Sequence, residues 1–178
     1  MPNKHLLTIT CLIIIITATG IKWWSMQPAI PADISFSIID GRKINLSELH
    51  GRTIIINFWA TTCDICRKEL PGLIKLYNKY SGKGLEIIHI AMPYDPPNRV
   101  LDTANRNKIP FPVALDIHGD AVKAFGGIDA TPTLFLITPD GELDLKVVGK
   151  TDMGRLEQRI MKLLPDPIQK AGQLEVES

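Results

Sequence analysis

Cysteine is scarce in this chain, with three in 178 residues. That is too few for the disulfide framework that staples small secreted domains. An excess of one charge sign is also lacking. The formal net charge is +1, and Lys and Arg are scattered rather than gathered in a block. Such a mixed surface does not mark a nucleic-acid partner, and none is expected. Histidine is equally sparse: His5, His50, His89 and His118 do not pair at metal-ligand spacing. Cys63 and Cys66 form a C-x-x-C, which is half of a zinc site, but no second C-x-x-C completes it, so no metal is expected. His89 lies within an apolar strand and reads as a core residue, and His50 and His118 read as turn residues. Without internal repeats or a second domain, the chain holds one domain of ordinary size, long enough to bury a core.

The N-terminus reads differently from the rest. Lys4 precedes Leu6–Ile21, a run that is almost wholly apolar or Thr and is centred on Ile13–Ile16. A positive start before an apolar run is the pattern of an export signal. Ala18 and Gly20 offer small residues for cleavage, but Lys22, Trp23 and Trp24 form an interfacial belt, and the run with its flanks approaches spanning length. We therefore read 1–24 as a signal or membrane anchor that is retained, with Lys4 on the cytoplasmic side and the domain outside. Cys11 lies in this run after Thr8-Ile9-Thr10, not after the small residues of a lipidation signal, and reads as a small apolar residue. Residues 25–33, with Pro28 and Pro31, read as an extended spacer. Residues 34–164 read as the domain and 165–178 as a polar tail without fixed structure.

Within the domain, apolar stretches flank Asp40-Gly41 across 34–46, which predicts a β-hairpin. A short helical turn follows at 47–49. Thr53–Trp59 is continuous, apolar and rich in β-branched residues, so it reads as a strand buried on both faces. A helix is expected from about Cys63 to Tyr80, with Leu70, Leu73, Ile74, Tyr77 and Tyr80 on one face and a kink at Pro71. Further strands are expected at 85–92, 112–115, 133–137 and 142–148. Further helical segments are expected at 100–107, 121–125 and 151–164. Strand–helix–strand followed by a hairpin and a terminal helix gives an α/β fold with a mixed central sheet flanked by helices, preceded by an extra N-terminal hairpin.

The C-x-x-C follows a strand and opens a helix. Unpaired first-turn N–H groups and the positive end of the helix dipole stabilise a thiolate there, which makes Cys63 the nucleophile. Cys66 is close enough to bond to it and is expected to be less exposed, and such a pair cycles by thiolate attack through a mixed disulfide.

Trp59-Ala60-Thr61-Thr62-Cys63-Asp64-Ile65-Cys66 resembles the active-site stretch of the thioredoxin superfamily. Arg67-Lys68-Glu69-Leu70-Pro71 narrows the resemblance to the TlpA/ResA-like branch, and Gly127–Ile137 followed by Asp140-Gly141 is similar to that branch's cis-proline segment and hairpin. The resemblance covers about 34–164 and implies a thioredoxin fold. It implies Cys63 as attacking thiol, Cys66 as resolving thiol, Pro132 as the cis proline with Thr131 turned toward a docked substrate, and Glu69 as a buried acid that exchanges a proton with Cys66. Trp59, Thr62, Asp64 and Ile65 would line the substrate side, Trp59 as both core and rim. Thr62 and the Asp64-Ile65 dipeptide depart from the branch's usual residues, and Asp64 should oppose thiolate formation on Cys63.

The resulting expectation is a monomeric enzyme with no cofactor besides its redox-active disulfide. It would sit in the periplasm or on the outer face of the cytoplasmic membrane. There it would reduce disulfides of exported proteins and be recharged by a membrane electron donor, with cytochrome c maturation as one setting. An oxidant or isomerase on the same fold stays open, although the dipeptide lacks the His that dithiol oxidases tend to carry. A copper-handling protein of this fold would use soft thiolates but with wider Cys spacing and a distant His. A peroxidase would show a Thr-x-x-Cys preceded by Pro, which is absent.

Overall fold

The computed structural model describes residues 33–164. Apart from Asp33, the expected anchor, spacer and tail lie outside the described residues. Among the described residues no helix is long and apolar enough to cross a membrane.

Strands β1 (Ser35–Ser37) and β2 (Lys43–Asn45) pair antiparallel as the predicted hairpin. Gly41 takes the positive φ of 90° that its turn requires. Strand β3 (Thr53–Trp59) leads into helix α1 (Asp64–Tyr80), and β4 (Leu85–Ala91) leads into α2 (Pro97–Asn107). Strand β5 (Val113–Leu115) and the short helix α3 (Asp120–Ala124) follow, then β6 (Thr133–Ile137), β7 (Leu143–Val148) and α4 (Met153–Leu163). The main sheet has the order β5-β4-β3-β6-β7. Its β3, β4 and β5 run parallel and β6 and β7 antiparallel, so it is mixed as expected.

Every residue of β3 and of β4 is buried, because the sheet is covered on both sides. Ile54, Ile56 and Phe58 point to a core closed by the hairpin and α3, with Phe36, Phe125 and Phe135 packed there. Ile55 points the other way, to Leu70, Leu73 and Leu76 of α1 and Leu156 and Ile160 of α4. Alternate residues of one strand thus serve two cores, and full burial of each such side chain contributes about 1.5–3 kcal/mol. A third cluster joins Trp59 and Cys66 to Val100 and Ala104 of α2.

The starts of α2 and α4 differ from the sequence reading, and Pro71 does not break α1. Helix α2 begins at Pro97 rather than Val100. A Pro pair reads as loop, yet the first helical turn tolerates Pro because its N–H has no partner there anyway. Helix α4 begins at Met153 because Asp152 caps it, accepting from the N–H groups of Gly154 at 3.0 Å and Arg155 at 3.1 Å. Helix α1 runs unbroken through Pro71, whose ring is on the exposed side while the buried stripe from Cys66 to Tyr80 holds the helix to the sheet.

His89 is core, as its strand suggested. It is 1% exposed, its ring stacks on Trp59 with centroids 4.4 Å apart, and Asn57 Nδ2 donates to its Nδ1 at 2.9 Å. Burial lowers its pKa from 6.5 to about 3. The unfolded chain therefore binds a proton between those values that the folded chain does not. Stability falls as pH drops from about 6.5 toward 3, by about 1.4 kcal/mol per pH unit in that window. Denaturant midpoints followed against pH should show this slope in the wild type and a flatter one in His89→Gln, which keeps an acceptor for Asn57. Equal slopes would show that His89 does not drive the acid loss.

Candidate functional site: a disulfide at the start of a helix

Strand β3 ends at Trp59, and the loop Ala60–Thr62 delivers Cys63 to the N-cap of α1. Cys63 has extended backbone dihedrals, φ −84° and ψ 109°, and its sulfur accepts the N–H of Cys66 at 3.1 Å. The sulfur thus does what Ser, Thr, Asp or Asn does at most N-caps. The loop is tied at both ends: Cys63 N–H donates to the Ala60 carbonyl at 3.0 Å, and Arg67 N–H to the Cys63 carbonyl at 3.1 Å. Cys63 and Cys66 are disulfide-bonded with Cα atoms 5.3 Å apart. Cys66 is 3% exposed, whereas Cys63 is half-buried and is the sulfur a nucleophile can reach.

Facing the pair is the loop before β6. The Thr131–Pro132 bond is cis, and the Thr131 carbonyl oxygen lies 3.4 Å from Cys63 Sγ, within reach of a thiol donor once the disulfide is reduced. Gly149 N–H holds the Pro132 carbonyl at 2.8 Å, and the Thr133 hydroxyl holds that of Ala130 at 2.7 Å. The sequence-predicted residues Cys63, Cys66, Thr131 and Pro132 therefore come together.

The others divide. Thr62 and Asp64 are exposed and Ile65 is 41% exposed, so all three are open to a docked chain. Trp59 is not at a rim: it is 2% exposed, closed in by His89 and the third cluster, so it supports Cys66 from beneath. Asp64 pairs with Arg67 at i,i+3, which offsets the charge that was expected to oppose a thiolate. Glu69 is 8% exposed, one turn beyond Cys66, and accepts the N–H of Thr151 from the loop before α4. Burial raises its pKa, with the Thr151 amide and the charge of Lys150 pulling the other way.

Sequence reasoning missed two members of this neighbourhood. Arg67 donates from Nη1 to the Thr61 carbonyl at 3.0 Å besides pairing with Asp64. Asp95, in the loop after β4, accepts from Thr61 N–H at 2.5 Å and from the Thr61 hydroxyl at 2.6 Å. The available signal for Asp95 was its position just past the carboxyl end of a parallel strand, where the loops of such sheets gather. A cavity of about 610 Å³ lies elsewhere, beside the hairpin and the start of β5, and is lined by Arg42, Arg52, Tyr77 and Glu86 without either cysteine.

A buried strand that delivers a C-x-x-C disulfide to a helix N-cap opposite a cis proline defines a thiol–disulfide oxidoreductase of thioredoxin fold. The sequence model of the AhpC/TSA family matches residues 29–146, and the chain belongs to that family. It is similar to the thiol-disulfide oxidoreductase ResA of Bacillus thuringiensis subsp. konkukian, 37% identical over 128 residues, with 71% of this chain and 72% of that protein covered. It is also similar to the sporulation thiol-disulfide oxidoreductase A of Bacillus subtilis, 28% identical over 168 residues, with 89% of this chain and 98% of that protein covered. Among solved structures, a thioredoxin-family thiol:disulfide interchange protein from Chlorobium tepidum matches with TM-score 0.71 at 25% identity, covering 78% of this chain and 98% of that one.

The raised pKa of Glu69 has a testable sign. Above the ordinary value of 4.5, the unfolded chain gives up this proton more readily than the folded one. The group's contribution therefore declines as pH rises from about 4.5 through the folded-state value. Glu69→Gln keeps an acceptor for Thr151 N–H and removes the charge. Its unfolding midpoint relative to wild type should rise with pH over that range. A constant difference would mean that Glu69 ionises in the folded chain as it does in water.

Proposed function

We propose that this enzyme is an extracytoplasmic reductant of disulfides in exported proteins, held at the membrane by residues 1–24 and recharged by a membrane electron donor. The observation that carries the reading is the half-exposed Cys63 sulfur under the Cys66 amide, opposite Thr131. In the dithiol form, the Cys63 thiolate attacks one sulfur of a substrate disulfide. A Cys63–substrate bond forms, the substrate S–S bond breaks, and one substrate thiolate leaves. Cys66 gives its proton to the Glu69 carboxylate and attacks Cys63 Sγ. The Cys63–Cys66 bond forms, the second substrate thiolate leaves, and the pair has passed two electrons to the substrate.

A docked chain would lie across Thr62, Asp64, Ile65 and Thr131, beside Pro132. The direction toward reduction is supported by the absence of His between the cysteines. The location is supported by Lys4, the apolar run and Trp23-Trp24. Haem-site thiols of apocytochrome c, which must stay reduced for attachment, are one substrate class that such an enzyme would serve.

The full chain in detergent should reduce insulin with dithiothreitol as donor. Cys63→Ser should abolish this, and Cys66→Ser should accumulate mixed disulfides. Full activity of Cys63→Ser would refute the assigned nucleophile. In glutathione buffers the pair should prove more reducing than glutathione, and a more oxidising pair would reverse the proposed direction. In cells the chain should fractionate with membranes and be cut by protease added from outside.

A further inference from the structure

One buried carboxylate is bonded to the active-site loop and takes part in no step above. Asp95 is 5% exposed, and its two oxygens accept separately from the N–H and the hydroxyl of Thr61. Among the described residues it forms no ion pair, and Thr61 supplies both hydrogen bonds to its carboxylate. Asp95 is itself firmly placed. Its N–H donates to the Met92 carbonyl at 2.9 Å, and Met92 N–H donates to the Trp59 carbonyl at 3.0 Å, which ties this loop to the end of β3. Pro96 and Pro97 follow at the start of α2 and restrict the backbone on the other side.

Thr61 is thus held from two directions. Asp95 takes its N–H and hydroxyl, and Arg67 takes its carbonyl from the first turns of α1. Thr61 stands two residues before Cys63, and the backbone between them sets where the Cys63 sulfur meets the Cys66 amide. We propose that Asp95 is a positioning residue of the redox centre: its two-point grip on Thr61, completed by Arg67 on the Thr61 carbonyl, holds the Cys63 sulfur under the Cys66 N–H. It touches neither sulfur nor substrate and acts through the loop. Asp95 and Arg67 act on Thr61 directly, and Arg67 is itself paired with Asp64, so the grip works by geometry rather than by charge.

The proposal rests on reading Cys63 as the attacking thiol. The test uses the reduced full chain in detergent and follows iodoacetamide alkylation against pH, with the labelled cysteine mapped by mass spectrometry. In Asp95→Ala the rate at neutral pH should fall about threefold to tenfold, the loss expected when a thiolate loses much of one charge-assisted hydrogen bond, and the curve should move to higher pH. Asp95→Asn can accept Thr61 N–H through Oδ1 and donate to the Thr61 hydroxyl through Nδ2, so it should restore the wild-type curve. Thr61→Val, which removes only the hydroxyl contact, should fall between and serves if Asp95→Ala does not fold. A Thr61→Val curve that superimposes on wild type overturns the proposal. So does Asp95→Asn behaving as poorly as Asp95→Ala, because charge rather than grip would then matter. First labelling at Cys66 in every form would overturn the reading of Cys63, while displacement between variants would still report the grip of Asp95 on the pair.

Discussion

The N–H of Cys66 points at the Cys63 sulfur from the first turn of α1, and that single contact is what the surrounding structure keeps in place. Its worth depends on redox state. In the disulfide the acceptor is a neutral sulfur. In the dithiol form it can be an anion, and a hydrogen bond to an ionised acceptor is about twice as strong as a neutral one. The helix dipole adds to the same preference. The amide therefore favours the open, thiolate-bearing state over the closed one without any movement of the chain. Strand β3 sets one end of this geometry, because a strand buried along its whole length has little freedom to shift. The packed stripe of α1 sets the other.

Three carboxylates stand around the pair, and each is handled differently. Asp64 is exposed and paired with Arg67. Glu69 is buried, which raises its pKa although the Thr151 amide pulls the other way. Asp95 is buried and satisfied by two donors from one residue. The same functional group thus stands as a solvated partner of a cation, a buried acid and a structural acceptor, and the environment rather than the residue type decides which.

Much of the fold was legible from local pattern. TIIINFW read as a doubly buried strand and is one, and the spacing of Leu70, Leu73 and Tyr80 marked the inner face of α1 before any contact was known. The pair of cysteines and the Thr131-Pro132 segment were legible because their chemistry lies in residue types at fixed spacing. What escaped was long-range. Asp95 is an ordinary acid in a Pro-rich loop until β4 is placed beside β3, and only then does it face Thr61. Trp59 was given a rim because it opens the stretch that carries the cysteines, whereas the stack on His89 that buries it comes from the next strand. Arg67 looked like one of many solvated cations, since nothing local marks the carbonyl it reaches. The starts of α2 and α4 were misplaced for a smaller reason: caps and Pro define helix ends more sharply than apolar spacing does.

The hairpin β1–β2 also bears on how the molecule behaves among copies of itself. Ile39 N–H donates to the Val113 carbonyl at 2.9 Å, and Ile38 bridges to Ala114, so the backbone of β5 is not offered to a foreign strand. The opposite margin of the sheet is β7, which among the described residues pairs only with β6. There Arg159 occupies both the carbonyl of Asp144, at 3.3 Å, and its carboxylate, at 2.7 Å, and Lys146 projects a charge from the same strand. One margin is thus capped and the other carries charges that oppose strand addition. With both margins closed in this way, the sheet offers no free backbone row to a second copy of itself, and concentration alone gives it little reason to add strands edge to edge.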